Sequence, residues 1–202
     1  PIFQKAFPDM INILKKMLER EDAPLSKLGS HCTVALASII NATPTCHEDI
    51  IVELLNSVNE QIRSEITRED IVPTEYTQTI IQYLCIVIWA IVQRLNINID
   101  PYSDPILDTL LAILTKRSEI CHEDGLLALS SLISVLREKI KPFIPRIIEV
   151  FNISQESKME ENVKMSAYLI FCLFKSVGQF LASDQELNQT ILKNFFENLN
   201  DE

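Results

Sequence analysis

Residues 127–133 read Leu-Ala-Leu-Ser-Ser-Leu-Ile, and this apolar helical segment decides the fold because similar segments recur along the chain. Residues 86–92 read Ile-Val-Ile-Trp-Ala-Ile-Val, and residues 34–40 read Val-Ala-Leu-Ala-Ser-Ile-Ile. A fourth copy lies within residues 166–174. The last three copies are about 40 residues apart, which is the period of HEAT-type helix pairs. The recurrence therefore predicts a repeat protein.

Apolar residues follow a helical period along almost the whole chain, and the alternation typical of strands is absent. Shorter helices separate the repeated segments, and the predicted helices cover residues 7–20, 25–41, 46–66, 75–95, 103–116, 122–137, 142–152, 159–181 and 184–199. A single helix pair cannot bury its apolar face, so neighbouring pairs must stack. We expect an all-α fold, a right-handed α-solenoid of HEAT-type antiparallel helix pairs with about four to five repeats. The alternative is two five-helix bundles.

The chain has the composition of a folded segment without nucleotide chemistry. We expect residues 1–202 to form a single HEAT-repeat solenoid segment that is a fragment of a longer chain. Its three glycines are far apart, whereas a phosphate-binding loop needs clustered glycines. The net charge of −10 disfavours nucleic acid and anionic membranes. It favours basic protein partners, and the alternative is that the charge only keeps the protein in solution.

The five cysteines are widely spaced in apolar helical stretches, which is not the pattern of a secreted disulfide framework. We therefore expect a reducing compartment. The sequence shows no signal peptide, and its longest uninterrupted apolar run, at residues 83–92, is about half of the roughly 18 residues that suggest a membrane span.

No cofactor, metal or catalytic site is predicted. Each histidine adjoins a cysteine, at residues 31–32, 46–47 and 121–122. Zinc needs about four converging ligands, and in a solenoid the last two pairs would begin helices at opposite edges. Neither a nucleophile elbow nor a metalloprotease motif is present, so we expect a protein that is not an enzyme.

Acidic side chains share faces on the shorter, second helices of the predicted pairs. Asp49, Glu53 and Glu60 fall on one face of the helix after Thr45, opposite its apolar face. Asp104 and Asp108 are four residues apart on the next such helix, and the following one carries Glu149. HEAT solenoids line their concave surface with second helices, so these six carboxylates are the predicted partner-binding residues. A solvated polar face is the alternative.

Several short motifs occur in the second half of the chain in the same order as in a known family of repeat proteins. Residues 123–132 read Glu-Asp-Gly-Leu-Leu-Ala-Leu-Ser-Ser-Leu and are similar to the family's E-D-A-L-x-A-x-S-T-L, with glycine in place of the first alanine. Lys-Pro-Phe follows at residues 141–143, as it does in the family. Leu84-Cys85 resembles the start of an L-C-x-x-L helix, and Glu-Asn-Leu at residues 197–199 resembles the end of the family's helix. Through these motifs the chain resembles importin-β, the karyopherin-β family of nuclear transport receptors.

This resemblance implies a segment from the middle-to-late HEAT repeats of an import receptor. It implies binding to the basic importin-β-binding segment of importin-α or to basic cargo, and contact with the Ran GTPase. It also implies grooves for phenylalanine-glycine nucleoporin repeats, for which Leu129 and Phe171 are the candidate exposed apolar positions. The expected location is the cytoplasm, the nucleus and the nuclear pore of the nuclear envelope. A HEAT-repeat scaffold that organises a phosphatase or another complex is the alternative function.

Overall fold

The computed structural model describes residues 2–18, 20, 22–23, 27–42, 47–67, 75–116, 122–156, 160–183, 189, 191 and 193. Within these residues the α-helices are α1 Ile2–Leu18, α2 Lys27–Asn41, α3 Glu48–Thr67, α4 Glu75–Leu95, α5 Ser103–Lys116, α6 His122–Leu136, α7 Ile144–Gln155 and α8 Glu160–Ser183. The 3-10 segments Asn96–Tyr102 and Arg137–Phe143 follow α4 and α6. No residue of the described ranges lies in a strand.

The chain divides into two compact units, Pro1–Thr109 and Leu110–Glu202, and α5 begins in the first unit and ends in the second. In the first unit α2 packs against α1 and α4, and α4 packs against α3. The helices α2 and α4 carry the repeated apolar segments, so helices of the same type lie side by side, as stacked helix pairs require.

The buried face of α2 shows why this sequence forms a core helix. Gly29, Cys32, Leu36 and Ile40 are buried at intervals of three and four residues, so they lie along one side of the helix. Gly29 is required by close packing, because a Cβ there would overlap the carbonyl oxygen of Ala23. The opposite side of α2 is exposed.

In the second unit α8 packs against α6 and α7. The hydroxyl of Ser176 on α8 donates to the carbonyl oxygen of Ile133 on α6 at 3.2 Å, which joins these two helices of the repeated type. Phe151 of α7 is completely buried. α8 is interrupted at Val177, whose backbone is not helical (φ −134°, ψ 22°).

The same connection follows α4 and α6. Asn96 and Arg137 directly follow the two helices and have positive φ angles of 48° and 52°. Each of them begins a 3-10 segment. Each segment buries one isoleucine, Ile99 or Ile140, and contains a proline two residues later. Residues 96–102 and 137–143 are therefore equivalent parts of two successive repeats.

The predicted helices fall on the observed helices, and the structure differs from them most at two places. The sequence predicts that α1 begins at residue 7, yet it begins at Ile2 and continues through Pro8. It predicts α-helix up to residue 137 and from residue 142, where the structure has a 3-10 segment over Arg137–Phe143. The predicted helix over 184–199 lies largely outside the described residues.

Two stretches, Thr77–Thr115 and Glu160–Ser183, are long and apolar enough to span a membrane by length and composition. The sequence predicts no membrane span, because polar residues interrupt both stretches. Their most apolar 18-residue windows are 50% and 39% buried inside the structure, and buried core helices pass the same test. The two stretches are therefore weak evidence for a membrane span.

Candidate partner-binding surfaces

The exposed face of α3 carries an acidic stripe, which we define as Asp49, Glu53 and Glu60. All three side chains are exposed, whereas Leu54, Val58 and Ile62 on the other side of the helix are 5%, 5% and 0% exposed. The apolar side fixes the rotation of α3, so the carboxylates must point to solvent. Eleven residues separate the ends of the stripe, which is about 16 Å along a helix.

The next acidic pair lies on α5, and Arg63 connects α3 to it. The guanidinium of Arg63 donates to the hydroxyl of Thr109 at 2.9 Å and to the carbonyl oxygen of Pro105 at 3.1 Å. Asp104 and Asp108 are both exposed on the same part of α5. Two successive second-of-pair helices therefore lie next to each other in the first unit, and each carries exposed carboxylates.

Glu149 belongs to the second unit, where it is exposed on α7. Ile148 and Val150, its neighbours in sequence, are buried, so the core side of α7 again determines which side chains are exposed. All six predicted acidic residues are thus accessible to a partner.

An open cleft of about 550 Å³ lies at the N-terminal end of the acidic stripe. Its lining includes Asp49, Asp100 and Ile97, and the Ile97 side chain is 71% exposed. Glu48, at the same cleft, pairs with Arg94 at 3.3 Å. Sequence reasoning missed this surface, because only the 3-10 connection after α4 brings an exposed isoleucine beside carboxylates that are about 50 residues away in the chain.

The two candidate positions for phenylalanine-glycine repeats differ. Phe171 on α8 is 59% exposed and stacks on Tyr168, with ring centroids 6.3 Å apart. Leu129 was expected to be exposed and is 0% exposed, so that expectation is wrong. α8 packs against α6, and the residues around Leu129, including Ala128 and Leu132, are also buried. Leu129 is a core residue, and only Phe171 is available at the surface.

Within the described ranges, no group of three or more His, Cys, Asp or Glu side chains is placed to hold a metal ion. Cys32, Cys85 and Cys172 are buried as free thiols. Cys46 and Cys121, which belong to two of the three His-Cys pairs, lie outside the described residues.

One carboxylic acid has a strongly shifted pKa. Burial raises the pKa of Asp124, in the first turn of α6, from 3.8 to about 6, and the neighbouring charge of Glu123 adds to this effect. Asp124 precedes Gly125 and the apolar segment at residues 127–133. Because the folded chain disfavours the ionised form of Asp124, this side chain makes stability depend on pH.

The comparison with protein families identifies the repeats. The family described as importin subunit beta-1-like, TPR repeats, matches residues 2–201, which is nearly the whole chain. The chain belongs to this importin-β-like family. Searches of curated proteins and of solved structures gave no match.

Family membership agrees with the stacked helices of each unit and establishes an α-solenoid type of repeat built from helix pairs. The importin-β-like family is a class of non-enzymatic transport and scaffold proteins that act through protein partners. It is relevant to transport between nucleus and cytoplasm. The chain is therefore a segment of transport-receptor type.

Proposed function

We propose that this importin-β-like segment binds the basic importin-β-binding segment of importin-α, or a basic cargo segment, through its exposed second-of-pair carboxylates. The observation that carries the proposal is the acidic stripe Asp49, Glu53 and Glu60, which projects to solvent opposite the buried face of α3. Asp104 and Asp108 on the adjoining α5 extend the same charge, and Glu149 supplies it in the second unit.

The dimensions of the stripe suit a short peptide. An extended chain advances about 3.3 Å per residue, so the roughly 16 Å from Asp49 to Glu60 corresponds to about five residues of a bound segment. Exposed ion pairs contribute only about 0.2–1 kcal/mol each, so a single carboxylate cannot hold a partner. Several carboxylates together speed association and select basic partners, and their effect weakens as salt rises.

Binding to phenylalanine-glycine nucleoporin repeats is a second candidate function. It is supported by the exposed aromatic pair Tyr168 and Phe171 on α8, which offers apolar surface that the fold does not cover. Together with Ran binding, which only the resemblance to the family suggests, this function would bring the receptor to the nuclear pore and allow cargo release in the nucleus.

Fluorescence anisotropy with a labelled importin-β-binding peptide tests the main proposal. The double variant Glu53→Gln, Glu60→Gln removes two charges from the stripe. Its matched control, Glu123→Gln, Glu161→Gln, removes two exposed charges from the first-of-pair helices α6 and α8. Both double variants change the net charge from −10 to −8.

We expect the stripe variant to weaken binding roughly fivefold to thirtyfold, since two ion pairs of up to about 1 kcal/mol are lost, and the control to leave it nearly unchanged. Equal weakening by both variants would show that only the overall charge matters. No binding of the basic peptide, together with capture of a phosphatase subunit, would instead favour the scaffold alternative.

A further inference from the structure

A small apolar pocket opens among α1, α2, α3 and α4 in the first unit. Its apolar lining consists largely of buried side chains, and includes Leu36, Leu54, Val58 and Val87, which are 1%, 5%, 5% and 1% exposed. Its volume is about 40 Å³. The polar residues at the pocket are few, and the most informative of them is Lys15.

Lys15 places a positive charge at this apolar pocket. Its ammonium donates to the hydroxyl of Ser57 at 2.7 Å, across 42 residues of sequence. Among the residues that the structure describes, no carboxylate lies within ion-pair distance of Lys15. An ammonium that is partly buried beside a neutral hydroxyl gains from an anionic partner, which can accept a stronger, charge-assisted hydrogen bond.

The pocket volume limits the group that can enter. A cavity that binds benzene measures about 150 Å³, so a pocket of about 40 Å³ is too small for a phenylalanine ring. The branched end of a Leu, Ile or Val side chain is a better match. A long acyl chain would also exceed this space.

We propose that the pocket receives the aliphatic side chain of a partner segment in which Leu, Ile or Val is next to an Asp or Glu. The aliphatic group fills the space between Leu36, Val58 and Val87, and the adjacent carboxylate accepts a hydrogen bond from the Lys15 ammonium. The partner of this pocket carries a single carboxylate beside an aliphatic side chain, whereas the partner proposed for the acidic stripe is basic. The two sites therefore select partners of opposite charge.

The neighbouring surface sets a condition on this segment. Leu54, Ser57 and Gln61 line the pocket from α3, and Glu53 and Glu60 are exposed on the adjacent side of the same helix. A partner with a long run of acidic residues would be repelled by the stripe. One carboxylate directed towards Lys15 is consequently the favoured arrangement.

Methyl-detected nuclear magnetic resonance titration with a short neutral-ended peptide that contains one central Leu-Asp pair tests this proposal. We expect saturable shifts of the methyl signals of Leu36, Leu54, Val58 and Val87. Control peptides with Ala-Asp, Leu-Asn or Phe-Asp at the same place should bind at least about threefold more weakly. The first lacks the branched aliphatic group, the second lacks the charge, and the third has a side chain too large for the pocket.

Two lysine variants distinguish specific recognition of the carboxylate by Lys15 from general attraction of the peptide to positive charge on α1. Lys15→Met keeps an unbranched stem but removes the ammonium, and we expect the Leu-Asp peptide to bind roughly fivefold more weakly. Lys16→Met changes the same charge at the next, exposed residue of α1 and should leave the affinity unchanged. The Glu53→Gln, Glu60→Gln variant should bind this peptide as well as or better than the unmodified protein, while it binds the basic peptide more weakly.

Several results would overturn the proposal. Shifts that avoid the pocket methyl groups, equal losses in Lys15→Met and Lys16→Met, or equal affinity for Leu-Asp and Leu-Asn would each rule out recognition of a carboxylate by Lys15. Saturable binding of octanoate without binding of the peptide would assign the pocket to a small amphiphile. None of these outcomes bears on the basic peptide, so the two proposals can fail separately.

Discussion

Replacement of Gly29 by alanine tests the close packing of α2. A Cβ at residue 29 would lie 2.6 Å from Cε2 of Tyr83 and would overlap the carbonyl oxygen of Ala23. That carbonyl accepts a hydrogen bond from the backbone nitrogen of Gly29 at 3.1 Å, so it cannot move away without losing the bond. The Tyr83 ring, on α4, is only half-buried and lines the pocket at Lys15, so the overlap with the backbone of Ala23 is the harder one to relieve.

The expected magnitude follows from three contributions. Overpacking costs about 1–3 kcal/mol, and weakening the hydrogen bond to Ala23 costs about 0.5–1.5 kcal/mol. Alanine is favoured over glycine in a helix by about 0.8–1.0 kcal/mol, which offsets part of this loss. We therefore expect Gly29→Ala to lower the free energy of unfolding by about 1–3 kcal/mol.

Urea unfolding followed by circular dichroism and by the fluorescence of Trp89 measures this change. Gly178→Ala is the matched control, because no atom lies within 4 Å of a Cβ at that position and its φ is not positive. We expect the control to be neutral or to stabilise by up to about 1 kcal/mol. A Gly29→Ala protein as stable as the unmodified chain would refute the packing argument.

Three further predictions concern other single residues. Arg137→Gly should raise the free energy of unfolding, measured by urea denaturation, by about 0.5–1.5 kcal/mol. The reason is that Arg137 has a φ of 52°, a conformation that costs a residue with a side chain about 1–2 kcal/mol. A loss of stability would contradict the backbone conformation described for this connection. Burial holds the pKa of Asp124 near 6 in the folded protein against 3.8 in the unfolded chain, so its contribution to stability is complete below about pH 4 and is lost as the pH rises through 6. The unfolding midpoint of Asp124→Asn, measured relative to the unmodified protein, should therefore rise from about pH 4 to about pH 7. A difference that stays constant over this range would refute the pKa shift. Phe171→Ser should change the thermal unfolding midpoint little but weaken binding of phenylalanine-glycine peptides, since Phe171 is exposed. The control Phe151→Ala should lower the free energy of unfolding by about 3–5 kcal/mol, because Phe151 is completely buried. A large loss of stability in Phe171→Ser would show that Phe171 belongs to the core.

The helical repeat could be predicted from the sequence because it depends on local spacing. The apolar segments at residues 34–40, 86–92 and 127–133 each fall within an observed helix, and α2 and α4 pack together as repeated helices should. The exposure of Glu53 and Glu60 followed equally from the 3.6-residue period, since Val58 and Ile62 fix the buried side of α3.

Other features depend on tertiary structure. Asn96 and Arg137 adopt positive φ without the glycine that usually marks a helix end, so nothing local predicted the 3-10 segments after α4 and α6. The prediction that Leu129 is exposed is wrong because the spacing of apolar residues does not show how many sides of α6 are covered by neighbouring helices. The pocket at Lys15 was not predicted at all, because its key hydrogen bond, to Ser57, joins residues 42 positions apart.

The start of α1 shows a different limit of the sequence signals. Proline is common in the first turn of a helix, so Pro8 is compatible with the predicted start at residue 7. The helix instead begins at Ile2 and contains Pro8. A proline there removes one backbone donor, and its ring crowds the carbonyl group four residues earlier. The apolar packing of Phe7 and Ile11, which are 0% and 3% exposed, opposes this cost.

The most direct test of the proposed function is the salt dependence of binding to the basic importin-β-binding peptide. The dissociation constant should be measured at several salt concentrations for the unmodified chain and for Glu53→Gln, Glu60→Gln. If the acidic stripe binds the peptide, the affinity of the unmodified chain falls steeply with salt, and the variant shows weaker binding with a smaller dependence. Identical salt dependence in the two proteins, or binding that does not respond to salt, would contradict the account.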